Sequence, residues 1–137
     1  MDDAIARYRA ASEANDIEAL LATLAPDAEV ISPISGRMVF RGREDLQILL
    51  AAVYGSLTGL HWHHELDDGS TSVLIGSMKI GPVGMTDAMV FELTGDGQIR
   101  RVAPHLRPWL ALTLFALVLG PKVARHPRVV LRALRKR

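Results

Sequence analysis

The chain has 137 residues, of which 49% are apolar, so it is long enough for one domain with its own core and too apolar for a disordered chain. It contains no cysteine, which excludes disulfides, thiol catalysis and cysteine-ligated zinc. The formal net charge of +1 hides an asymmetry, because residues 122–137 carry seven basic and no acidic residues, whereas residues 1–121 carry nine basic and fifteen acidic ones.

Helical periodicity predicts three helices before residue 58. The first spans residues 3–13, where apolar side chains recur at helical spacing. Asn15 and Glu18 have the spacing of a capping box, which predicts that Asn15 is the N-cap of a second helix ended by Pro26. The third helix is predicted over residues 43–57. Its expected inward side chains are Leu46, Leu49, Leu50 and Val53.

After residue 60 the pattern changes to long alternating segments separated by tight turns, which predicts antiparallel strands. The predicted strands are 28–31, an edge strand at 37–41, and four long strands at 60–66, 72–80, 84–94 and 98–105. Gly76 and Gly84 are expected to allow bends or bulges in a curved sheet. Helices followed by an antiparallel meander give an α+β class.

Two segments carry a resemblance to a known family. ARYRAASEANDIEALLATLAPDAEV (6–30) resembles the first two helices of ketosteroid isomerases, and TDAMVFELTGDGQIRRV (86–102) resembles their last hairpin. The resemblance covers roughly residues 3–105 and indicates the nuclear transport factor 2-like superfamily, closest to its SnoaL-like and ketosteroid isomerase-like members. It implies a cone-shaped half-barrel, in which a curved, mostly antiparallel sheet surrounds three N-terminal helices, over residues 1–106.

The resemblance also implies an oxygen-binding pair and a missing base. Tyr8 and Asp87 fall at the positions of the tyrosine and the protonated aspartic acid that bind the oxyanion in those isomerases. Strand alternation independently places Asp87 on one face with Met89, where burial would keep a carboxyl group protonated. The position of the isomerase base is occupied by Ser32, whose hydroxyl is a poor proton acceptor. Isomerisation by the family mechanism is therefore not expected.

Four further side chains are candidates for the pocket or for other chemistry. Trp62 and His105 are assigned, together with Tyr8, Ser32, Asp87 and Met89, to ligand binding. His61 and His63 have the spacing of a metal-binding pair, but no acidic residue completes a site at motif spacing, so neither a metal nor another cofactor is expected. The histidines before residue 65 are more typical of a sheet surface or a dimer face.

The tail, residues 107–137, is predicted to be a helical extension that is first apolar and then basic. Residues 109–119 are apolar on nearly every side, and Gly120–Pro121 is expected to interrupt them before a short basic helix that begins near Pro127. The apolar run is too short to span a bilayer. Two alternatives remain: Trp109–Arg137 contacts the membrane surface, or its apolar part covers the domain or a dimer partner. Nothing in the sequence marks a nucleic-acid-binding module.

The sequence is compatible with two functions. The first is binding of a small apolar ligand, such as a steroid, polyketide or terpenoid, with isomerase-, cyclase- or hydrolase-type activity as an option. The second is a non-catalytic dimeric interaction module attached to a membrane or partner through its tail. The acidic N-terminus lacks the features of a signal peptide, which favours a cytoplasmic protein, peripheral at the membrane if the tail binds lipid.

Overall fold

A computed structural model of the chain describes residues 3–135. The first two residues, and Lys136 and Arg137 of the predicted basic tail, lie outside the described residues. The elements follow in chain order as α1 (Ala4–Glu13), α2 (Ile17–Ala22), β1 (Leu24–Ile31), β2 (Val39–Arg41), α3 (Arg43–Gly55), β3 (Leu57–Asp67), β4 (Thr71–Ile80), β5 (Val83–Leu93), β6 (Ile99–Ala103), β7 (Leu106–Arg107), α4 (Trp109–Ala124) and α5 (Pro127–Leu134). This order confirms the predicted α+β class.

The seven strands form one curved, unclosed sheet in the order β2-β1-β6-β5-β4-β3, and β7 pairs with β5 beyond the end of β6. The pairing of β1 with β6 is parallel and the other pairings are antiparallel, as the predicted mostly antiparallel half-barrel requires. The hairpins β3–β4 and β4–β5 turn at Gly69 and Gly81, both at positive φ. The inner face of the sheet packs against the helices to form the core.

The N-cap of α2 differs from the predicted one. Asn15 adopts a left-handed conformation with φ 55°, and the next residue, Asp16, is the N-cap, whose carboxylate accepts a hydrogen bond from the Ala19 amide at 3.1 Å. The first strand also begins earlier than residue 28, at Leu24. Its pairing with β6 shifts register between Leu24 and Glu29, a stretch that contains Pro26, which has no amide hydrogen to donate.

The long edge strand β3 departs from simple alternation because its register with β4 shifts twice, on both sides of Trp62. The shifts turn Trp62 into the core, while His61, His63 and His64 all lie on the exposed surface. Alternation alone would have placed His64 on the side of Trp62. Among the described residues, no group of three potential ligand side chains could hold a metal ion.

Gly76 of β4 lies opposite Trp62, and its missing side chain makes room for the indole. A Cβ atom at this position would lie 2.6 Å from Trp62 Cε3 and 2.7 Å from the carbonyl oxygen of His61. The backbone oxygen cannot move without disturbing the strand pairing. The glycine that the sequence suggested for a bend is therefore a site of close approach between two strands.

We expect Gly76→Ala to lower the free energy of unfolding by about 1–3 kcal/mol, the usual cost of overpacking a core. Gly84→Ala is the matched control, because a Cβ atom on that β5 glycine would meet nothing within 4 Å. Urea denaturation of both variants measures the difference. Equal losses in the two variants would contradict the close approach of Trp62 to Gly76.

Helix α4 does not stop at Gly120–Pro121 as the sequence predicted, but continues to Ala124. Pro121 has no amide hydrogen, so the carbonyl of Leu117 lacks its usual helical hydrogen bond. Leu117 is exposed on the outer side of the helix. The opposite side of α4 is buried on the domain through Ala111, Phe115, Leu119 and Val123. No helix within residues 3–135 is long and apolar enough to cross a membrane. The domain boundary proposed after residue 106 stays a prediction, and β7 spans it.

Helix α5 begins at Pro127 as predicted, and one of its sides packs on the domain. Its buried side consists of Val129 and Ala133, while Leu131 and Leu134 are exposed. Arg132 attaches the helix to α3, because its guanidinium donates to the two carboxylate oxygens of buried Asp45 at 2.7 and 2.8 Å. Lys122 makes a second link by donating to the Ser56 hydroxyl at 2.6 Å.

Candidate functional site

A cavity of about 300 Å³ lies between the inner face of the sheet and the helices. Helices α1 and α3 contribute one side of it, strands β4 and β5 another, and helices α4 and α5 a third. Aliphatic side chains, methionines and aromatic rings make up most of the lining. The polar side chains among the described lining residues are Tyr8, Ser32, Tyr54, Trp62 and Asp87.

Tyr8 and Tyr54 form a hydrogen-bonded pair in this cavity. Tyr8 lies on the buried face of α1, and Tyr54 lies in the last turn of α3. Their hydroxyl oxygens are 2.7 Å apart. The Tyr8 ring also packs edge-to-face on Phe91 of β5, with centroids 4.9 Å apart. These contacts fix the Tyr8 hydroxyl in position without a rotamer search on ligand binding.

Asp87 lies on β5 and is 4% exposed. Its Oδ1 accepts a hydrogen bond from the backbone N–H of His105 at 3.2 Å, since β5 pairs with the segment that leads into β7. Met85, Met89 and Phe91 are buried on the same face of the strand, as alternation predicted. The carboxyl group is therefore surrounded by apolar side chains and held by one backbone donor.

The surroundings shift the acid–base equilibria of all three groups. Burial raises the pKa of Asp87 from 3.8 to about 7, although the hydrogen bond from His105 lowers it in part. Burial also raises the pKa of Tyr8 and of Tyr54 above the ordinary value of 10, and the negative charge of ionised Asp87 adds to both increases. The tyrosines are neutral at physiological pH, and Asp87 is neutral over a much wider pH range than an exposed carboxyl group.

Counting protons shows what these groups can offer to a ligand. Two phenol hydroxyls carry two protons, and the bond between Tyr8 and Tyr54 uses one of them. Among residues 3–135, no group accepts the second phenol proton, and Asp87 Oδ2 has no hydrogen-bond partner. A neutral Asp87 therefore has one O–H to donate, and the tyrosine pair has another. All three side chains line the same cavity.

The other predicted site residues occupy different positions. Ser32 lines the cavity, but its Oγ accepts hydrogen bonds from the amides of Ile34 and Ser35 at 3.1 and 3.2 Å. Trp62 and Met89 contribute apolar wall, and the Trp62 indole N–H is already donated to Ser12 at 2.8 Å. The exposed ring of His105 is not among the lining residues, and only its backbone supports Asp87.

Tyr54 and the part of the tail that lines the cavity were not predicted from the sequence. Tyr54 follows Leu50 by four residues and Leu46 by eight, so it lies on the stripe already assigned to the core of α3. Continuing that stripe by one turn would have found it. Phe115, Leu119 and Val123 of α4 and Val130 of α5 also line the cavity. The uniformly apolar sequence of α4 gave no signal for which face turns inward.

Comparison with protein families gives a match to the SnoaL-like domain over residues 5–102. No curated protein matches the chain significantly in sequence.

Similar solved structures cover nearly the whole chain. An uncharacterised bacterial protein with a cystatin-like fold from Silicibacter pomeroyi has a TM-score of 0.88 at 19% identity, covering 97% of this chain and 95% of its own. A steroid delta-isomerase from Pseudomonas aeruginosa has a TM-score of 0.81 at 22% identity, covering 91% of this chain and 92% of its own. An LEH-like epoxide hydrolase from M. tuberculosis has a TM-score of 0.63 at 21% identity, covering 89% of this chain and 93% of its own. At these identities the likeness establishes the fold.

Proposed function

The chain belongs to the SnoaL-like domain family, and from this premise we propose that it binds a small apolar molecule through one carbonyl or hydroxyl oxygen. The observation that carries the proposal is the placement of Tyr8, Tyr54 and Asp87 in an otherwise apolar cavity, with two hydroxyl protons free to donate. Structures of similar fold include an isomerase, a polyketide cyclase and an epoxide hydrolase, so ligand binding in this fold has ample precedent.

The ligand oxygen is held by neutral donors. In a low-dielectric cavity, an O–H of Asp87 and an O–H of the tyrosine pair stabilise partial negative charge on a carbonyl oxygen, or full negative charge on an enolate or phenolate. A ligand carboxylate fits less well, because above the pKa of Asp87 two like charges would share the cavity. The preferred polar group is thus a ketone, enol or phenol.

The rest of the ligand is expected to be apolar and compact. The cavity of about 300 Å³ is at the lower end of the range of small-molecule sites, about 300–1,000 Å³. Ser32 Oγ already accepts hydrogen bonds from two amides, so it offers a second polar group on the ligand a single O–H donor and little acceptor capacity. A steroid, polyketide or terpenoid skeleton with one oxygen at its end satisfies these conditions.

We propose binding, with polarisation of the bound oxygen, rather than isomerisation by the mechanism of ketosteroid isomerases. That mechanism needs a base beside the first strand, and Ser32 occupies this position. Among the described lining residues, Asp87 is the sole carboxylate, and its role as a donor is incompatible with acting as the base in the same step.

A naphthol is a suitable probe, because it is compact, apolar and phenolic, and its absorption and fluorescence distinguish the neutral from the ionised form. We expect wild-type protein to bind it with a spectrum shifted toward the ionised form. Tyr8→Phe removes one hydroxyl and the partner that holds the Tyr54 hydroxyl in place, so it is expected to weaken binding about 5- to 10-fold, the equivalent of one hydrogen bond of about 1–1.5 kcal/mol. Titration of fluorescence against protein concentration measures the dissociation constant.

His105→Ala is the matched control for Tyr8→Phe. It removes a polar ring that does not line the cavity and keeps the backbone N–H that holds Asp87. Its affinity for the naphthol should equal that of wild type. If His105→Ala weakens binding while Tyr8→Phe does not, the ligand lies elsewhere and the proposed site is wrong.

A further inference from the structure

The outer side of the α4–α5 wall exposes large apolar side chains although its inner side belongs to the core. Trp109 is 77% exposed, Leu110 58%, Leu117 68% and Leu131 65%. We call these four residues, together with Arg125, Arg128 and Arg135, the outer face. Large exposed apolar side chains that occur together on one wall are typical of a docking surface.

The residues of the outer face follow helical spacing. On α4, Leu110 and Leu117 are seven residues apart, which is two turns, and they point away from the buried Phe115. On α5, Arg128 and Leu131 are three residues apart and lie opposite the buried side of the helix, and exposed Arg135 follows its last residue. Because both helices turn their inner sides to the same cavity, their exposed sides form the outside of one wall.

The cations of the outer face are available to an external partner. Within the part of the chain that the structure describes, Arg125, Arg128 and Arg135 are exposed and form no ion pair, whereas Arg132 is engaged with Asp45. Residues 122–137 contain seven basic and no acidic residues. Large exposed apolar side chains on α4 next to unpaired arginines at α5 combine the apolar contact and the attraction to anionic lipid that membrane-surface sites use.

We infer that the outer face docks on the surface of an anionic lipid bilayer. Trp109, Leu110 and Leu117 would enter the boundary between headgroups and acyl chains, and the arginines would contact lipid phosphates. A second copy of the chain fits this face less well. In a symmetric dimer the face would meet itself, and its arginines would then repel one another. Docking would place one wall of the ligand cavity against the lipid.

The test is co-sedimentation of the full-length protein with vesicles of phosphatidylcholine, with and without phosphatidylglycerol. We expect binding to the vesicles that contain phosphatidylglycerol, weaker binding at high salt because exposed charges are screened, and little binding to phosphatidylcholine alone. Arg128→Glu is expected to reduce the partition coefficient about 5-fold or more, since each basic side chain near the surface contributes about that factor. Leu117→Ser should reduce it as well.

Two matched controls lie outside the α4–α5 wall. Lys79→Glu changes the charge by the same amount as Arg128→Glu, on the exposed face of β4 opposite the buried Met78. Leu66→Ser replaces a leucine that is 61% exposed on β3. Both controls should bind vesicles like wild type, and circular dichroism should show all four variants folded.

Three outcomes would overturn the inference. One is equal binding to the two kinds of vesicle, and another is equal loss in the control variants. The third is a dimer in size-exclusion chromatography that dissociates in Leu117→Ser, which would assign the outer face to a second copy. Because the vesicle assay needs no ligand, a protein that binds the naphthol but no vesicles would refute membrane docking and leave the proposed function intact.

Discussion

Replacing Asp87 with asparagine is expected to stabilise the ligand-free protein at about pH 8 by about 4 kcal/mol, although it alters the central group of the candidate site. Burial raises the pKa of Asp87 from 3.8 to about 7. Each pKa unit corresponds to about 1.4 kcal/mol, so ionisation of Asp87 at high pH lowers the free energy of unfolding by about 4 kcal/mol. The amide of asparagine has no charge and can still accept the hydrogen bond from the His105 backbone.

The pH dependence follows from the direction of the shift. Between about pH 4 and pH 7 the folded protein keeps a proton on Asp87 that the unfolded chain has lost, so the stability of the wild type falls as the pH rises. Above pH 7 both states are ionised at this residue, and the penalty is constant. The advantage of Asp87→Asn should therefore grow by about 3 kcal/mol between about pH 5 and pH 8.

Urea denaturation of wild type and Asp87→Asn at these two pH values measures the effect. The exposed Asp27 provides the control, because Asp27→Asn should change the free energy of unfolding by no more than about 0.5 kcal/mol at either pH. A stability difference between wild type and Asp87→Asn that is the same at both pH values would mean that Asp87 ionises as an exposed carboxyl group does. A neutral Asp87 could then not be the donor to a ligand.

Much of the fold could be predicted because it depends on short-range patterns. Alternation along β4 and β5 and the glycine turns between strands specify hairpins, and the stripes of α1 and α3 specify helices. The inward group of Met85, Asp87 and Met89 follows from the same alternation. The family resemblance supplied the curvature of the sheet, which no local pattern contains.

The errors arose where a long-range contact decides the local structure. Trp62 is buried and its neighbouring histidines are exposed because two register shifts accommodate the indole beside Gly76. Pro121 is tolerated in α4 because the helix is buried on one side and Leu117, whose carbonyl loses its partner, is exposed. Neither effect is visible in the residues of one strand or helix alone.

The candidate site was predictable in part. Tyr8 and Asp87 were assigned through the resemblance, and the burial of Asp87 also through alternation, but their roles as ligand-binding residues stay predictions. Tyr54 was missed although it continues the stripe of α3. The inner face of α4 could not have been chosen from the sequence, since apolar residues surround the helix on nearly all sides. The homodimer and the cytoplasmic location also stay predictions.

The buried and the exposed side of α4 predict opposite effects of substitution at two nearby residues. Phe115 is 3% exposed and lines the cavity, whereas Leu117, two residues further, is 68% exposed. If the tail is an integral wall of the domain, Phe115→Ala should lower the free energy of unfolding by about 3–5 kcal/mol, the usual cost of removing a buried phenylalanine. Leu117→Ala should change the free energy of unfolding by no more than about 0.5 kcal/mol, because the side chain at this position is exposed to solvent in the folded protein as well as in the unfolded chain.

The measurement is urea denaturation of both variants in the absence of lipid, with intrinsic fluorescence as the signal. Alanine is the better helix former at both positions, so helix propensity cannot explain a loss at Phe115 alone. Phe115→Ala should also enlarge the cavity and alter the affinity for the naphthol, since the ring forms part of its wall. Unchanged stability in both variants would mean that α4 does not pack on the domain in solution, and that the cavity is open on that side.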